Sequence, residues 1–253
     1  MKILIVICLF IYSLSLSQSL SKAKDLYSLR GEGANGLKAK SEPIESAIME
    51  FEKGRLNPGT ALEAGVYLLR SYYYKGQFVI EDIDEKKEIF KKGKTIGESL
   101  ILEYPNSAAI RYWYLVNLGR WAQVYGTLAA AREGVADLMR THSEKIIELD
   151  DQYMDGGGYF MLGAVHLKSP YIPFILSWPS NTRAVEYLTK ALEQGEETPS
   201  QTVYLARALY KEGEKNNAIK MLQKFVLRPI SKNNKVEDLE YKLEAKNLLA
   251  DWN

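Results

Sequence analysis

The sequence predicts an all-α protein: a right-handed superhelical stack of short helix hairpins, closed by a C-terminal capping helix. Three observations carry this. Apolar residues recur at spacings of three and four through most of the chain, the period of a helix face. No run of β-branched alternation bounded by Gly or Asn turns occurs, so strands are not expected. Ala184 and Ala218 stand 34 residues apart, each followed by a leucine four residues on (Leu188, Leu222) and an apolar residue seven on (Ala191, Phe225). A small residue and then a large one a turn later lets two helices of one hairpin cross closely.

The elements follow in order. Residues 1–16, MKILIVICLFIYSLSL, place one lysine before an apolar run, and small polar residues follow. That is the layout of a secretory signal peptide, assigned to 1–18 with cleavage near residues 17–21. The alternative is a retained anchor, but the 14 residues from Ile3 to Leu16 fall short of the roughly 20 that span a bilayer. Residues 19–40 form a lead-in, and 41–253 the repeat domain. FEKGRLNP (51–58) reads as the end of one helix before the next, ALEAGVYLLRSYYYKGQF, whose face is Leu62, Val66 and Leu69. Ile89, Ile96 and Leu100 mark a helix stopped at Tyr104–Pro105. Leu115, Leu118 and Ala122 mark another, and Val135, Leu138, Ile146 and Ile147 one that ends at Asp150–Asp151. The last carries Val236, Leu239, Leu243 and Leu249, with Glu240, Lys242, Glu244 and Lys246 expected on its outward faces. Eight to eleven helices result. A 34-residue period of helix pairs is the tetratricopeptide spacing. The middle is looser: Leu118–Gly119, Leu162–Gly163 and Leu205–Ala206 recur at 44 and 43 residues, and the insert KSPYIPFILSWPSN (168–181) replaces a tight turn.

Composition narrows the chemistry. The 253 residues carry 33 Lys+Arg against 32 Asp+Glu, and removing Lys2 leaves an even balance. A nucleic-acid partner is therefore not expected, since such proteins usually carry a basic face. The single cysteine, Cys8, lies inside the apolar start, too early for a lipid-modified cysteine at the cleavage point. The mature chain then has no disulfide, thiolate metal site or cysteine nucleophile. The two histidines, His142 and His166, are 24 residues apart with no third ligand at helical spacing, so no metal and no cofactor is expected. His142 reads as solvated; His166 reads as a satisfied, partly buried imidazole or as a ligand contact. No nucleophile elbow or histidine triad can be assembled, and an enzyme is not expected.

Four segments invite a functional reading. GEGANG (31–36) matches a dinucleotide pattern as a string but follows no strand, and reads as a junction. DGGGYF (155–160) presents backbone amides to an anion, or else Asp155 caps a tight helix entry, which is the favoured reading. RYWYLVNLGRWA (111–122) crowds Tyr112, Trp113, Tyr114, Asn117, Arg120 and Trp121 onto one helix. Aromatic residues dominate core area, so packing accounts for part of this run. The insert around Tyr171, Phe174 and Trp178 is apolar for a loop. It packs back on its own repeat, closes as a lid, or docks a partner.

YWYLVNLGRWA, IIELDDQYMDGGGYFMLGAVHL, P–x–x–P and NTRAVEYLTKALEQ, together over about residues 40–250, resemble the T component associated with TRAP transporters. With its EAKNLLADW helix the chain is also similar, more distantly, to the regulator of microtubule dynamics family. The resemblance implies a periplasmic tetratricopeptide-like protein, a homo-oligomer such as a trimer, that assists a solute-binding protein and holds hydrophobic small molecules. It implies that Trp113, Asn117, Arg120 and Trp121, with Tyr159 and His166 of the next hairpin, line the cleft. Arg120 or His166 would then orient a ligand carboxylate. The alternative is a general protein–protein scaffold. The chain departs from the family in lacking a lipid-anchor cysteine after the apolar run.

Overall fold

Prolines, glycines and capping side chains divide the chain into helices at nearly every place the sequence suggests. The computed structural model describes residues 20–252; the expected signal peptide, with Lys2 and Cys8, lies outside them. The helices are α1 (20–28), α2 (Ser41–Gly54), α3 (Ala61–Phe78), α4 (Ile83–Glu103), α5 (Ala108–Tyr125) and α6 (Thr127–Arg132). They continue with α7 (Val135–Leu149), α8 (Tyr153–Lys168), α9 (Asn181–Glu193), α10 (Pro199–Glu212), α11 (Lys215–Val226) and α12 (Lys235–Trp252). Twelve α-helices among the described residues exceed the expected eight to eleven, because the lead-in supplies α1 and α6 adds a short extra turn. Local chemistry fixes the boundaries. Asp82 accepts from the amides of Asp84 and Glu85 at the start of α4. Thr198 and Gln201 bond reciprocally around Pro199 at the start of α10, and Gly213, at φ +97°, ends it. Each cap satisfies amides or carbonyls that a helix end leaves unpaired.

The helices pack in two rows. The first helices of successive hairpins, α3, α5, α8 and α10, touch one another along one row, each backed by its hairpin partner α4, α7, α9 or α11. Helix α1 extends the first row, with Leu20, Ala23 and Tyr27 buried against α2 and α3. Close crossing needs small residues. A Cβ on Gly93 would lie 2.2 Å from Asn117 Oδ1, and one on Gly97 2.7 Å from Tyr114 Cδ2, so α4 and α5 meet nearly backbone to backbone. Ala184 and Ala218, the pair that defined the period, are both fully buried.

Some expected faces are rotated. On α3 the expected Leu69 is buried and Val66 half-buried, but Leu62 is 42% exposed, and the buried face runs through Ala61, Ala64, Leu68 and Tyr72. The entry to α8 also differs. Met154, Asp155 and Gly156 all have left-handed backbone, so the regular helix begins only at Gly157. Asp155 does not cap this helix. Its carboxylate accepts from the amide of Glu196, and its carbonyl accepts from Gln201 Nε2, so it ties the α9–α10 turn to α8. Those bonds hold Asp155 in a conformation that costs a non-glycine residue about 1–2 kcal/mol.

The C-terminal helix does cap the stack, and it does more. Ala245 and Leu248 are buried in the cluster formed with α10 and α11, and Trp252 stacks on Tyr210 at 4.0 Å. Its other end is buried at the opposite end of the chain: Val236 belongs to the cluster of α1, α2 and α3, 3.5 Å from where a Cβ on Gly31 would stand. One helix of 18 residues thus joins the two end clusters, whose anchors on it lie roughly 13 Å apart at 1.5 Å per residue. Among the described residues no helix is long and apolar enough to cross a membrane.

Candidate functional site: the arginine row beneath the last helix

The first-row helices send cations and tyrosines toward α12, and α12 answers with carboxylates. Glu237, Glu240, Tyr241 and Glu244 fall three or four residues apart, which sets them on one helix face. That face points inward, contrary to the expected outward placement of Glu240 and Glu244; their side chains are only 16% and 27% exposed. Apolar periodicity missed it because the buried partners are charges from distant repeats.

Three pairs run along the helix. Arg30, just beyond α1, donates from Nε and Nη2 to Glu237 Oε1 at 2.9 and 2.7 Å. It also donates to the Asn234 side chain and the Asn233 and Tyr27 carbonyls, with its guanidinium 4.4 Å from the Tyr27 ring. Arg120 of α5 lies 3.6 Å from Glu240 Oε2 and 5.5 Å from the Tyr73 ring. Gln77 of α3 donates to Glu240 Oε1, while Oε2 is buried with no hydrogen bond. Arg207 of α10 donates from Nε to Glu244 Oε1 at 2.8 Å, and its Nη2 lies 2.6 Å from the same oxygen.

Titration follows the burial. Glu240 is pushed above the ordinary carboxylate range by burial, with Arg120 pulling the other way. Burial opposes the Arg120 charge, yet Tyr73 and Glu240 carry its pKa above the ordinary value. Lys168, at the end of α8, is lowered by burial and then by Arg207. The hydroxyls of Tyr73, Tyr204 and Tyr241 are raised by burial, so all three stay neutral in ordinary buffers. The row is a set of fixed cations embedded in neutral tyrosines. A desolvated guanidinium beside a carboxylate makes a strong, geometrically selective contact.

Of the six cleft residues expected from the resemblance, Arg120 is the one that pairs with a carboxylate of α12. Trp113 is buried, donates to the Tyr153 hydroxyl at 3.2 Å, and reaches the row through Tyr73, 6.2 Å from its ring. Asn117 is fully buried; its Nδ2 donates to the Leu69 and Trp113 carbonyls, which makes it a tie between α3 and α5. Trp121 stacks on Tyr125 beside Lys94, toward α4. Tyr159 is half-buried against the main core. His166 accepts from the Ser180 amide at 3.1 Å between the rings of Trp178 and Tyr187, on the insert side of α8. The structure therefore does not gather these six into one cleft.

The insert divides in two. Trp178 donates to Asp137 at 2.9 Å under the Arg140 guanidinium, so its base is pinned to α7. Tyr171, Phe174 and Ile175 project at the tip, with Phe174 fully exposed and at φ +64°. His142 is not solvated as expected. It bonds Arg111 at 2.6 Å, packs edge-on to Tyr114, and is lowered to about 4 by burial and then by Arg111. GEGANG forms a turn beside α12, closed by an isolated bridge between Asn35 and Lys38. Among the described residues no cluster of three or more His, Cys, Asp or Glu side chains is placed to hold a metal.

Arg30, Tyr73, Gln77, Arg207 and the three glutamates were not singled out from sequence. The signal that could have found them is the spacing of Glu237, Glu240 and Glu244 on a helix that otherwise alternates charge.

No family model matches the chain, and no curated protein matches its sequence. Among solved structures, TTC0263, a thermophilic tetratricopeptide protein of Thermus thermophilus, superposes with a TM-score of 0.60 at 14% identity. The match covers 94% of this chain and 98% of that one. At that identity the likeness speaks to architecture, and with the helix rows above it shows the chain to have an all-α, tetratricopeptide-like fold.

Proposed function

We propose that the chain is a non-enzymatic, exported helical-repeat scaffold that binds a partner protein along its arginine row. The observation that carries this reading is the end-to-end accommodation of a helix by arginines from separate hairpins, Arg30, Arg120 and Arg207. A surface that holds one helix by spaced charge pairs is shaped for protein segments. The resemblance to the TRAP-associated T component supplies the natural candidate, a periplasmic solute-binding protein, and a homo-oligomeric assembly such as a trimer.

A second reading has its own observation. Arg120, among Tyr73, Tyr204 and Tyr241, already faces a carboxylate, which is the contact an amphipathic carboxylic acid would use. Native mass spectrometry of the protein from its own host, after gentle cross-linking, separates the two. The scaffold reading expects a protein adduct that Arg120→Glu abolishes. A fatty-acid-sized adduct on an otherwise bare chain supports the second reading. A chain carrying neither overturns both.

A further inference from the structure

We infer that α12 is a displaceable occupant of the arginine row, and that the partner is an acidic helix presenting carboxylates at the spacing of Glu237, Glu240 and Glu244. This rests on the scaffold reading and deepens it by naming both the partner's chemistry and the element that competes with it.

Four observations lead there. First, α12 commits few apolar side chains to the core for a helix of its length: Val236, Ala245 and Leu248 are buried, Tyr241, Leu249 and Trp252 are partly buried, and Leu243 is 39% exposed. Second, the middle ion pair is poorly closed. Arg120 and Glu240 stand 3.6 Å apart, and Glu240 Oε2 is buried without a hydrogen bond, so an incoming carboxylate in better register gains what α12 forgoes. Third, the link from α11 to α12, residues 227–234, is mostly exposed and is held by polar contacts rather than core packing: Arg228 pairs with Glu197, and Arg30 holds the Asn233 carbonyl and the Asn234 side chain. Fourth, a cation without an ion pair stands beside the row. Arg70 stands one turn before Tyr73 and two before Gln77 on α3, the face that meets α12. Its guanidinium sits among the rings of Tyr27, Tyr67 and Trp113 at 4.7–5.0 Å. Its Nε is buried without a hydrogen bond, and among the described residues it has no ion pair. An occupant with a carboxylate on that side of the row would pair with it.

Charge complementarity thus selects the occupant. Apolar docking would leave Arg30, Arg120 and Arg207 buried and unpaired, at large cost. Tethering gives α12 an effective concentration in the millimolar range, so a free helix competes only if it binds well or if α12 is weakened.

The test uses the whole chain and a fluorescein-labelled peptide of residues 235–252, read by anisotropy. The wild-type chain should bind it weakly, and Glu240→Gln should tighten binding tenfold or more in a chain whose circular dichroism at the assay temperature shows the helix content of the wild type. A peptide carrying E237K, E240K and E244K should not bind. The double variant G31C/V236C, oxidised, ties α12 down through neighbouring positions. It should bind no peptide until reduced. Peptide binding that is equal in the locked and reduced forms places the contact elsewhere and overturns the inference; so does no binding to the Glu240→Gln chain. If the peptide fails while the cross-linked partner adduct persists, this inference falls and the scaffold reading stands. Dimers that the wild-type peptide dissolves would show that a second copy's α12 is the occupant, which overturns the foreign partner.

Discussion

Replacing Arg30 by alanine should destabilise the protein by about 3 kcal/mol, although Arg30 lies outside the regular helices. The magnitude follows from its surroundings. The side chain is 6% exposed and donates to Glu237, Asn234 and two backbone carbonyls. Removing one partner of a buried pair costs about 3–5 kcal/mol, because the other charge stays desolvated. Glu237 keeps 18% exposure and can regain some water, which favours the lower end. At about 2–4 °C per kcal/mol for a chain of this size, the melting temperature should fall by about 6–12 °C. Urea denaturation followed by circular dichroism reads the loss, and a cycle with Glu237→Gln reads the coupling. The coupling should be at least about 1 kcal/mol. A loss below about 0.5 kcal/mol, typical of a surface change, would refute the view that this pair joins the chain's two ends.

Gly97→Ala should cost about 1–3 kcal/mol, since its Cβ would press on the Tyr114 ring and backbone; a melting temperature within a degree of wild type would show α4 free to move. His142 is lowered from 6.5 to about 4, so its contribution is complete above the unfolded pKa and is lost as pH falls from about 6.5 through 4. Allowing for its partial exposure, the contribution is about 1–3 kcal/mol. The difference in urea stability between wild type and His142→Gln should shrink across that window, and a pH-independent difference contradicts the buried neutral imidazole. Phe174→Gly should hold or raise stability by up to about 1 kcal/mol, as the ring is fully exposed on left-handed backbone. A marked loss in calorimetry would mean that the tip packs.

Much of the architecture was legible because it rests on local rules. Pro105 follows the end of α4, Gly213 ends α10, and the Ala184–Leu188 and Ala218–Leu222 pairs mark hairpins whose alanines are fully buried. Helix α5 was harder. It is packed on nearly every side, with Tyr112, Trp113, Tyr114 and Leu115 buried in succession, so no single apolar stripe distinguishes core from site. The face of α12 was misjudged for a physical reason. Glu237 is buried by Arg30, 207 residues away, and Glu244 by Arg207, 37 residues away. Hydrophobic periodicity has no means of registering a charge that is buried by a distant opposite charge. Asp155 and His142 were hard to place for a related reason: each finds its partner outside its own helix, in the Glu196 amide and Arg111 respectively.

The central claim is that α12 lies along the first-row helices and is held there through its carboxylates. Hydrogen exchange resolved along residues 235–252 tests it most directly. The account predicts that amides of α12 are protected well beyond those of a solvated helix, though less than those of α3 and α5. It also predicts that Arg120→Ala lowers protection in α12 while α7 and α9 keep theirs. Exchange in α12 as fast as in a frayed, solvated helix, with no change in the Arg120→Ala chain, would contradict it.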